Sequence, residues 1–169
     1  MATIANEPHN AVTTLLRAKL TDYNSARRKP AEPGSNWIFP DYPIIDLVKN
    51  SYPMIRVNDV TETAEIVDIN RTMVYHPRIQ IDVFVWLGID GADRHIITIS
   101  GVNYSGKKLL DMVSRDVISA LDDNKADFDD DTNILHNLKL LAKVDMGKDP
   151  DRKQLIRKRI EISFDYYRG

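Results

Sequence analysis

The one segment of this sequence with the spacing of a catalytic motif is GVNYSGK at residues 101–107, which fits G-x-x-x-x-G-K. In phosphate-binding loops this spacing lets backbone amides and the lysine hold a nucleotide. Gly101, Gly106 and Lys107 are therefore the candidate residues of a nucleotide-binding enzyme. The next residue is Lys108, where such a loop needs a serine or threonine hydroxyl to hold magnesium, so the metal position is missing.

The order of the elements around this motif also argues against a nucleotide-binding enzyme. A phosphate-binding loop belongs to a parallel sheet with crossover helices. The helix that follows Lys107 leads instead into an acidic loop and two strand-like segments. We therefore interpret the motif as a glycine-containing turn before a helix and predict that the chain is not an enzyme. P-loop-like nucleotide binding stays an alternative.

Acidic side chains are concentrated in residues 122–133, which contain six aspartates and one lysine. Asp127, Asp129 and Asp131 have the spacing of the first three ligands of an EF-hand calcium loop. The pattern then fails, because position 6 is Thr132 instead of glycine and position 12 is a leucine instead of glutamate. We predict a solvated acidic loop that holds no metal.

Histidines and cysteines offer no further site. The chain has no cysteine, and its four histidines lack the spacing of metal ligands, so neither a metal nor a cofactor is expected. Basic residues cluster at 27–29 and again at 152–159. In the second cluster Arg157 and Arg159 share a strand face with Glu161 and Asp165, which predicts a row of cross-strand ion pairs.

Length and composition favour one globular domain over residues 1–169. A net charge of −2 gives no basic field, so nucleic acid is not expected as the principal partner. No apolar stretch is long enough to span a bilayer and the first residues do not resemble a signal peptide, so we expect a soluble chain. Isoleucine and valine, 18 and 12 residues, outnumber the 13 leucines, which favours sheet.

The first part of the chain predicts a helix followed by an arm. Apolar residues at helical spacing predict an amphipathic helix over 10–23. Residues 24–43 contain four prolines and one glycine and are predicted to form an extended arm. Inside this arm Trp37, Ile38 and Phe39 form an isolated apolar cluster, which must dock either on the chain's own core or on a neighbouring subunit.

The remaining sequence predicts strands and one further helix. Strands are expected at 54–57, 64–75, 79–87, 95–99, 138–144 and 156–166, and a helix at 105–121. In the third strand every second residue from Ile79 to Leu87 is apolar, while Phe84 and Trp86 lie on the opposite face. The expected fold is α+β, with one mixed, mostly antiparallel sheet of five or six strands packed against two main helices.

This order of elements resembles the tail-terminator or tail-completion proteins of long-tailed viruses. The resemblance covers about residues 45–168 and rests on YPMIRV at 52–57, RIQIDVFVW at 78–86, YSGKKLLDMVSRDVISAL at 104–121 and RKRIEISFDYYR at 157–168. The arm at 24–43 and the acidic loop lie outside the shared pattern.

The resemblance implies a structural virion protein assembled in the host cytoplasm. Such a protein forms a homohexameric ring at the head-proximal end of the tail tube, stops tube growth and joins the tube to the head connector. A head-completion or neck adaptor protein is the nearest alternative. The implied partners are copies of the chain, the tail tube protein, the head-completion or connector protein, and genome DNA that passes without sequence-specific binding.

Two sets of residues are candidates for these contacts. Apolar side chains could contact another subunit or partner, because aromatic residues are enriched at interfaces; they are Trp37, Ile38, Phe39, Phe84 and Trp86. Acidic side chains could line the channel of a ring and repel DNA phosphates; they are Asp127, Asp129, Asp130 and Asp131.

Overall fold

A computed structural model describes residues 8–27, 29–40, 49–67, 69–70, 73–88, 91, 93–128 and 135–168. These residues form two α-helices, seven β-strands and single turns of 3-10 helix at Lys49–Ser51 and Lys125–Asp127. In chain order the helices and strands are α1 (Pro8–Lys19), β1 (Ile38–Pro40), β2 (Met54–Ile66), β3 (Met73–Trp86), β4 (Ile97–Ile99), β5 (Val102–Tyr104), α2 (Gly106–Asp123), β6 (Leu135–Lys148) and β7 (Leu155–Arg168).

Five of the strands form one mixed sheet in the order β1-β2-β3-β7-β6. β1 runs parallel to β2, and the other three neighbouring pairs are antiparallel. Both helices contribute to the core cluster on one face of this sheet. The predicted α+β fold, with a mostly antiparallel sheet and two main helices, is confirmed.

The core lies between the helices and the central strands. Ile79, Ile81, Val83 and Val85 of β3 are fully buried, because alternation in a strand places these four side chains on one face. Apolar side chains of α1, α2 and β7 join them in one cluster. The alternating pattern in the sequence therefore predicted the helix-facing side of β3 correctly.

The opposite face of the sheet is apolar at one end only. A second buried cluster lies there, formed by Tyr52, Met54, Phe84, Trp86 and Leu155. The rings of Tyr52 and Trp86 are 5.8 Å apart, and Trp86 Nε1 donates a hydrogen bond of 2.9 Å to the carbonyl of Asp93. Phe84 and Trp86 therefore lie on the face opposite the helix-facing residues of β3, as the alternation in the sequence predicted.

The β2–β3 hairpin differs from the prediction. The strand predicted at 64–75 is divided, since β2 continues to Ile66 and β3 begins at Met73. Ile66, Val67 and Ile69 are exposed around the turn. The β-branched residues there form the far end of a long hairpin instead of a core strand, which is why composition alone misplaced the turn.

The strand predicted at 95–99 lies outside the main sheet. Its residues 97–99 form β4, which pairs with β5 in a separate two-stranded sheet. Ser100 and Gly101 both have a positive φ, 50° and 79°. Two successive residues in the left-handed region make the tight turn that a two-residue hairpin loop requires, so the chain turns back immediately after Ile99.

The arm at 24–43 docks on its own chain where the structure describes it. Residues 38–40 of the arm form β1, and Trp37 and Ile38 are buried in the main core. The guanidinium of Arg27 lies 5.5 Å from the centre of the Trp37 ring, and Arg17 donates hydrogen bonds of 3.0 and 2.7 Å to the Ile38 carbonyl. The arm is thus held by core contacts and by two arginines.

Candidate interaction surface

β6 forms one edge of the main sheet and carries an unusual number of exposed apolar side chains. It pairs with β7, and within the described part of the chain no strand pairs with its other side. Leu140, Leu141 and Val144 are 53%, 45% and 44% exposed. A strand of 14 residues with an open edge and exposed leucines is a template for pairing with another chain.

The other open edge belongs to β2. The short strand β1 covers only residues 55–57 of β2. Beyond them, residues 59–66 are exposed on both faces and include Val60 and Ile66, which are 51% and 62% exposed. Among the described residues no strand other than β1 pairs with this side of β2, so the described sheet has open edges on opposite sides, each with exposed apolar side chains.

A charged cluster fixes β6 to the body of the protein. Lys158 is buried on the helix-facing side of β7, where it contacts Asp111 of α2 and lies 3.1 Å from Asp145 of β6. Lys107 lies 2.9 Å from Asp145 and 3.3 Å from Asp111. Two lysines and two carboxylates thus link α2, β6 and β7, so the open edge is presented on a fixed strand.

The carboxylates of this cluster are held in the ionised form. The hydrogen bond from Lys158 lowers the pKa of Asp111, and the hydrogen bond from Lys107 lowers the pKa of Asp145. The same contacts raise the pKa of Lys107. These shifts favour the charged forms of Lys107, Asp111 and Asp145, so the attraction between them helps to hold β6 against α2 near neutral pH.

A second cluster of charged side chains lies on the opposite face of the sheet, in the part of that face that is polar. Asp82 of β3 is fully buried and accepts hydrogen bonds from Arg56 of β2, from Arg159 of β7 at 3.0 Å and from Gln80 at 2.8 Å. Arg157 lies 3.9 Å away. Backbone register places Arg56, Asp82 and Arg159 in one row across three strands.

The balance of forces on Asp82 favours its charged form. Burial alone would raise the pKa of this carboxyl, but hydrogen bonds from Arg159 and Gln80 and the charge of Arg56 lower the pKa below its usual range. The predicted row of ion pairs around Arg159 therefore exists, but its carboxylate comes from β3. Glu161 instead pairs with Arg78 at 2.8 Å, and Asp165 with His76 at 2.9 Å.

Residues 101–107 have a different shape from a phosphate-binding loop. Gly101 belongs to the tight turn between β4 and β5, residues 102–104 are a strand antiparallel to β4, and α2 begins at Gly106. Ser105 precedes the helix without a side-chain capping bond. The Lys107 ammonium forms ion pairs with Asp111 and Asp145. In a phosphate-binding loop this ammonium would instead contact the phosphate.

We expect this segment not to bind nucleotide. Adding ATP and magnesium should leave the melting temperature unchanged, because only a ligand that binds the folded state raises it by mass action. Lys107→Ala is the matched variant. A rise in melting temperature that disappears in Lys107→Ala would contradict the prediction and favour the enzyme alternative.

Four of the five apolar interface candidates are buried within their own chain. Trp37 and Ile38 lie in the main core, and Phe84 and Trp86 in the second cluster; Phe39 is half-buried beside that cluster. The sequence left open whether these residues meet their own core or a neighbour. The structure shows the intramolecular contact for these four, and a contact with another subunit through them stays a prediction.

The acidic loop is only partly described. α2 continues to Asp123, a turn of 3-10 helix follows, and Phe128 is buried 5.0 Å from the ring of Phe164. The loop therefore begins later than predicted, because the helix and the 3-10 turn extend into it and Phe128 anchors the chain to β7, while Asp122, Asp123 and Lys125 are exposed as expected. The backbone of Asp127 ends the 3-10 turn, while Asp129, Asp130 and Asp131 lie outside the described residues.

The basic cluster at 27–29 is partly engaged inside the chain. Arg27 lies 2.7 Å from Asp22 and donates to the carbonyls of Ser51 and Pro53. Lys29 is exposed, and Arg28 lies outside the described residues. Arg27 thus has a structural role in holding the arm.

The described residues contain no group of three or more His, Asp or Glu side chains able to hold a metal ion. Among the same residues, no helix has the length and apolar character needed to cross a bilayer.

His95 is buried, and its pKa is lowered by burial and by the nearby charges of Lys49 and Arg27.

No protein-family model matches the chain, and a search of curated proteins finds no match. The candidate surface therefore rests on the chain's own geometry.

Sequence reasoning missed the features that define this surface. The apolar pattern predicts β6 as a strand but does not show that it is an open edge. Lys158 and Asp82 are absent from the predicted sites, because their partners lie on other elements. The signals were a lysine within the apolar face of β7 and an aspartate beside aromatic residues in β3.

Proposed function

We propose that the chain is a structural subunit of a viral tail, most specifically a tail terminator. In this role copies of the chain form a ring on the head-proximal end of the tail tube, and the ring receives the head connector. The single observation that supports the proposal most is the long open edge of β6 with its exposed leucines. The order of elements in the chain resembles that of tail-completion proteins, and in the ring that such proteins form an open edge would pair with a neighbouring subunit.

An open edge of this kind is a liability in a protein that works alone. Monomeric proteins keep edge strands short or interrupt them with prolines or bulges, because unpaired strand edges associate with other chains. β6 has register irregularities and three lysines but keeps 14 residues and exposed apolar side chains. Repetition of one contact around a closed ring pairs every edge and leaves none open.

The proposed partners follow from the position of the ring. One face would contact the tail tube protein and the other the head-completion or connector protein, while genome DNA passes through the centre. The acidic residues Asp127, Asp129, Asp130 and Asp131 would line this channel, where their charge repels phosphates. We propose localisation in the virion neck on the same basis.

Removal of the gene from the virus that encodes the chain tests this function. We expect tail tubes of uncontrolled length that fail to join heads, because nothing then stops tube growth. Complementation with the wild-type chain is the control. Tails of normal length that still fail to join heads would favour the neck adaptor role instead, and infectious particles of normal form would contradict both roles.

A further inference from the structure

The two open edges of the sheet carry opposite charge. The exposed part of β2 contains Asp59, Glu62 and Glu65 and no lysine or arginine. β6 contains Lys139, Lys143 and Lys148 against one acidic residue, Asp145. Asp145 is already engaged by Lys107 and Lys158, so the outward charge of β6 is positive.

Part of this charge has no counter-ion among the residues that the structure describes. Glu62 and Lys143 are exposed, and neither forms an ion pair with another described residue. Glu65 has a single long contact of 3.6 Å with His76. Charges of opposite sign placed on opposite edges attract neighbouring copies in one orientation and steer their encounter.

Strand direction and register also fit a contact between the two edges. β6 is antiparallel to β2, because three successive antiparallel steps separate them. In a ring whose axis runs along the strands, rotation keeps the strand directions, so the β6 edge of one copy would meet the β2 edge of the next copy antiparallel.

The exposed segments of the two edges also lie at the same level along the strand direction. Following the pairing across the sheet, Thr61 is level with Arg78, Ser163 and then Lys139. In a ring without a shift along the strands, Lys139 therefore comes opposite Thr61, one residue from Glu62 along β2. The exposed residues 59–64 of β2 lie level with 135–140 of β6 by the same path.

We infer that the β6 edge of one copy of the chain pairs, antiparallel, with residues 58–66 of β2 in the next copy. This inference rests on the proposed function as a ring subunit and names the contact that would close the ring. Each copy uses two different edges, so the contact is heterologous and continues the sheet from subunit to subunit. Exposed apolar residues on both edges, such as Val60 and Leu141, are covered in the same step.

Contacts between identical edges are disfavoured by the same charges. Two β6 edges related by a two-fold axis would place lysines of one copy beside lysines of the other. Two β2 edges would bring carboxylates together. Like charges directly opposite each other destabilise strand pairing, so the pairing of unlike edges is the arrangement that the charge distribution selects.

Charge reversal on each edge tests the contact. Variant one carries Lys139→Glu and Lys143→Glu, and variant two carries Glu62→Lys and Glu65→Lys. We expect either variant alone to weaken self-association by more than about tenfold, because each then has two edges of one sign. Lys29→Glu with Lys153→Glu, an equal charge change at exposed positions outside both strands, should leave association unchanged.

Mixing the two variants gives the sharper result. The acidic β6 edge of variant one fits the basic β2 edge of variant two, and the two unaltered edges fit each other. An equimolar mixture should therefore associate like the wild type, with alternating subunits, and a chain that carries all four substitutions should associate alone. Sedimentation velocity over a concentration series measures each sample, and thermal melting checks that each variant is folded.

The possible outcomes separate this inference from the proposed function. Association that depends on the β6 charges but not on the β2 charges would reveal a contact between identical edges and overturn the inference. Association that neither variant changes would overturn it while leaving a ring formed by other surfaces. A wild-type chain that stays monomeric at every soluble concentration would also overturn it, and the gene-removal experiment would still decide the tail function.

Discussion

Replacing Asp82 by alanine is expected to destabilise the fold by about 3–5 kcal/mol, because it leaves buried cations without their counter-ion. Arg56 is buried beside this carboxylate and Arg159 donates to it. The free energy of unfolding, measured by denaturant titration, checks the prediction. Asp93→Asn is the matched control: its carboxylate pairs with Lys49 at the surface, so the expected loss is less than about 1 kcal/mol.

The pH dependence of stability gives a second readout for Asp82. Its pKa is lowered in the folded protein, so its contribution is fully present above the unfolded pKa of about 4 and is lost as pH falls through the folded value. Asp82→Asn has no such titration. The stability difference between wild type and Asp82→Asn should therefore shrink below about pH 4. A difference that stays constant down to acid unfolding would show that the charge of Asp82 does not stabilise the fold.

Replacing Trp86 by alanine is expected to cost about 3–5 kcal/mol of folding free energy, as for other large buried side chains. The indole is buried against Tyr52, and its Nε1 donates to the Asp93 carbonyl. Tyr23→Ala is the control at a partly exposed aromatic residue and should cost less than about 1 kcal/mol. Thermal or denaturant unfolding measures both variants.

This variant also decides between the two roles considered for Trp86. If the residue serves its own chain, Trp86→Ala loses stability while the folded fraction associates like the wild type. A variant with wild-type stability and lost self-association would instead make Trp86 an interface residue, against the burial seen in the second cluster.

Much of the fold follows from local patterns in the sequence. Alternation in β3 and β7 and helical spacing in α2 depend on neighbouring residues only, so the core-facing residues Ile81, Ile160 and Val113 could be recognised without a structure. The length of β2 could not, since its exposed half has no buried face to leave a pattern. The placement of β4 outside the main sheet depended on the tight turn at Ser100 and Gly101.

The candidate surface was harder to predict because it depends on strand order. The sequence of residues 135–148 does not indicate that β6 is an edge strand. Apolar residues such as Leu140 and Val144 would also be expected in a buried strand. The buried ion cluster likewise joins Arg56, Asp82 and Arg159, which are distant in the chain and meet only through the register of three strands. The charged residues of each strand can be read from the sequence, but the residues that they pair with cannot.

Electron microscopy of tail tubes incubated with the gold-labelled chain tests most directly whether it is a ring-forming protein of the tail end. If the proposed function holds, a virus encodes the chain, and the tubes would come from that virus with this gene removed. We expect the label at one end of each tube, as a ring around the channel, and tubes capped in this way should then accept heads. A chain that sediments as a monomer and leaves both tube ends unlabelled would contradict the proposed role.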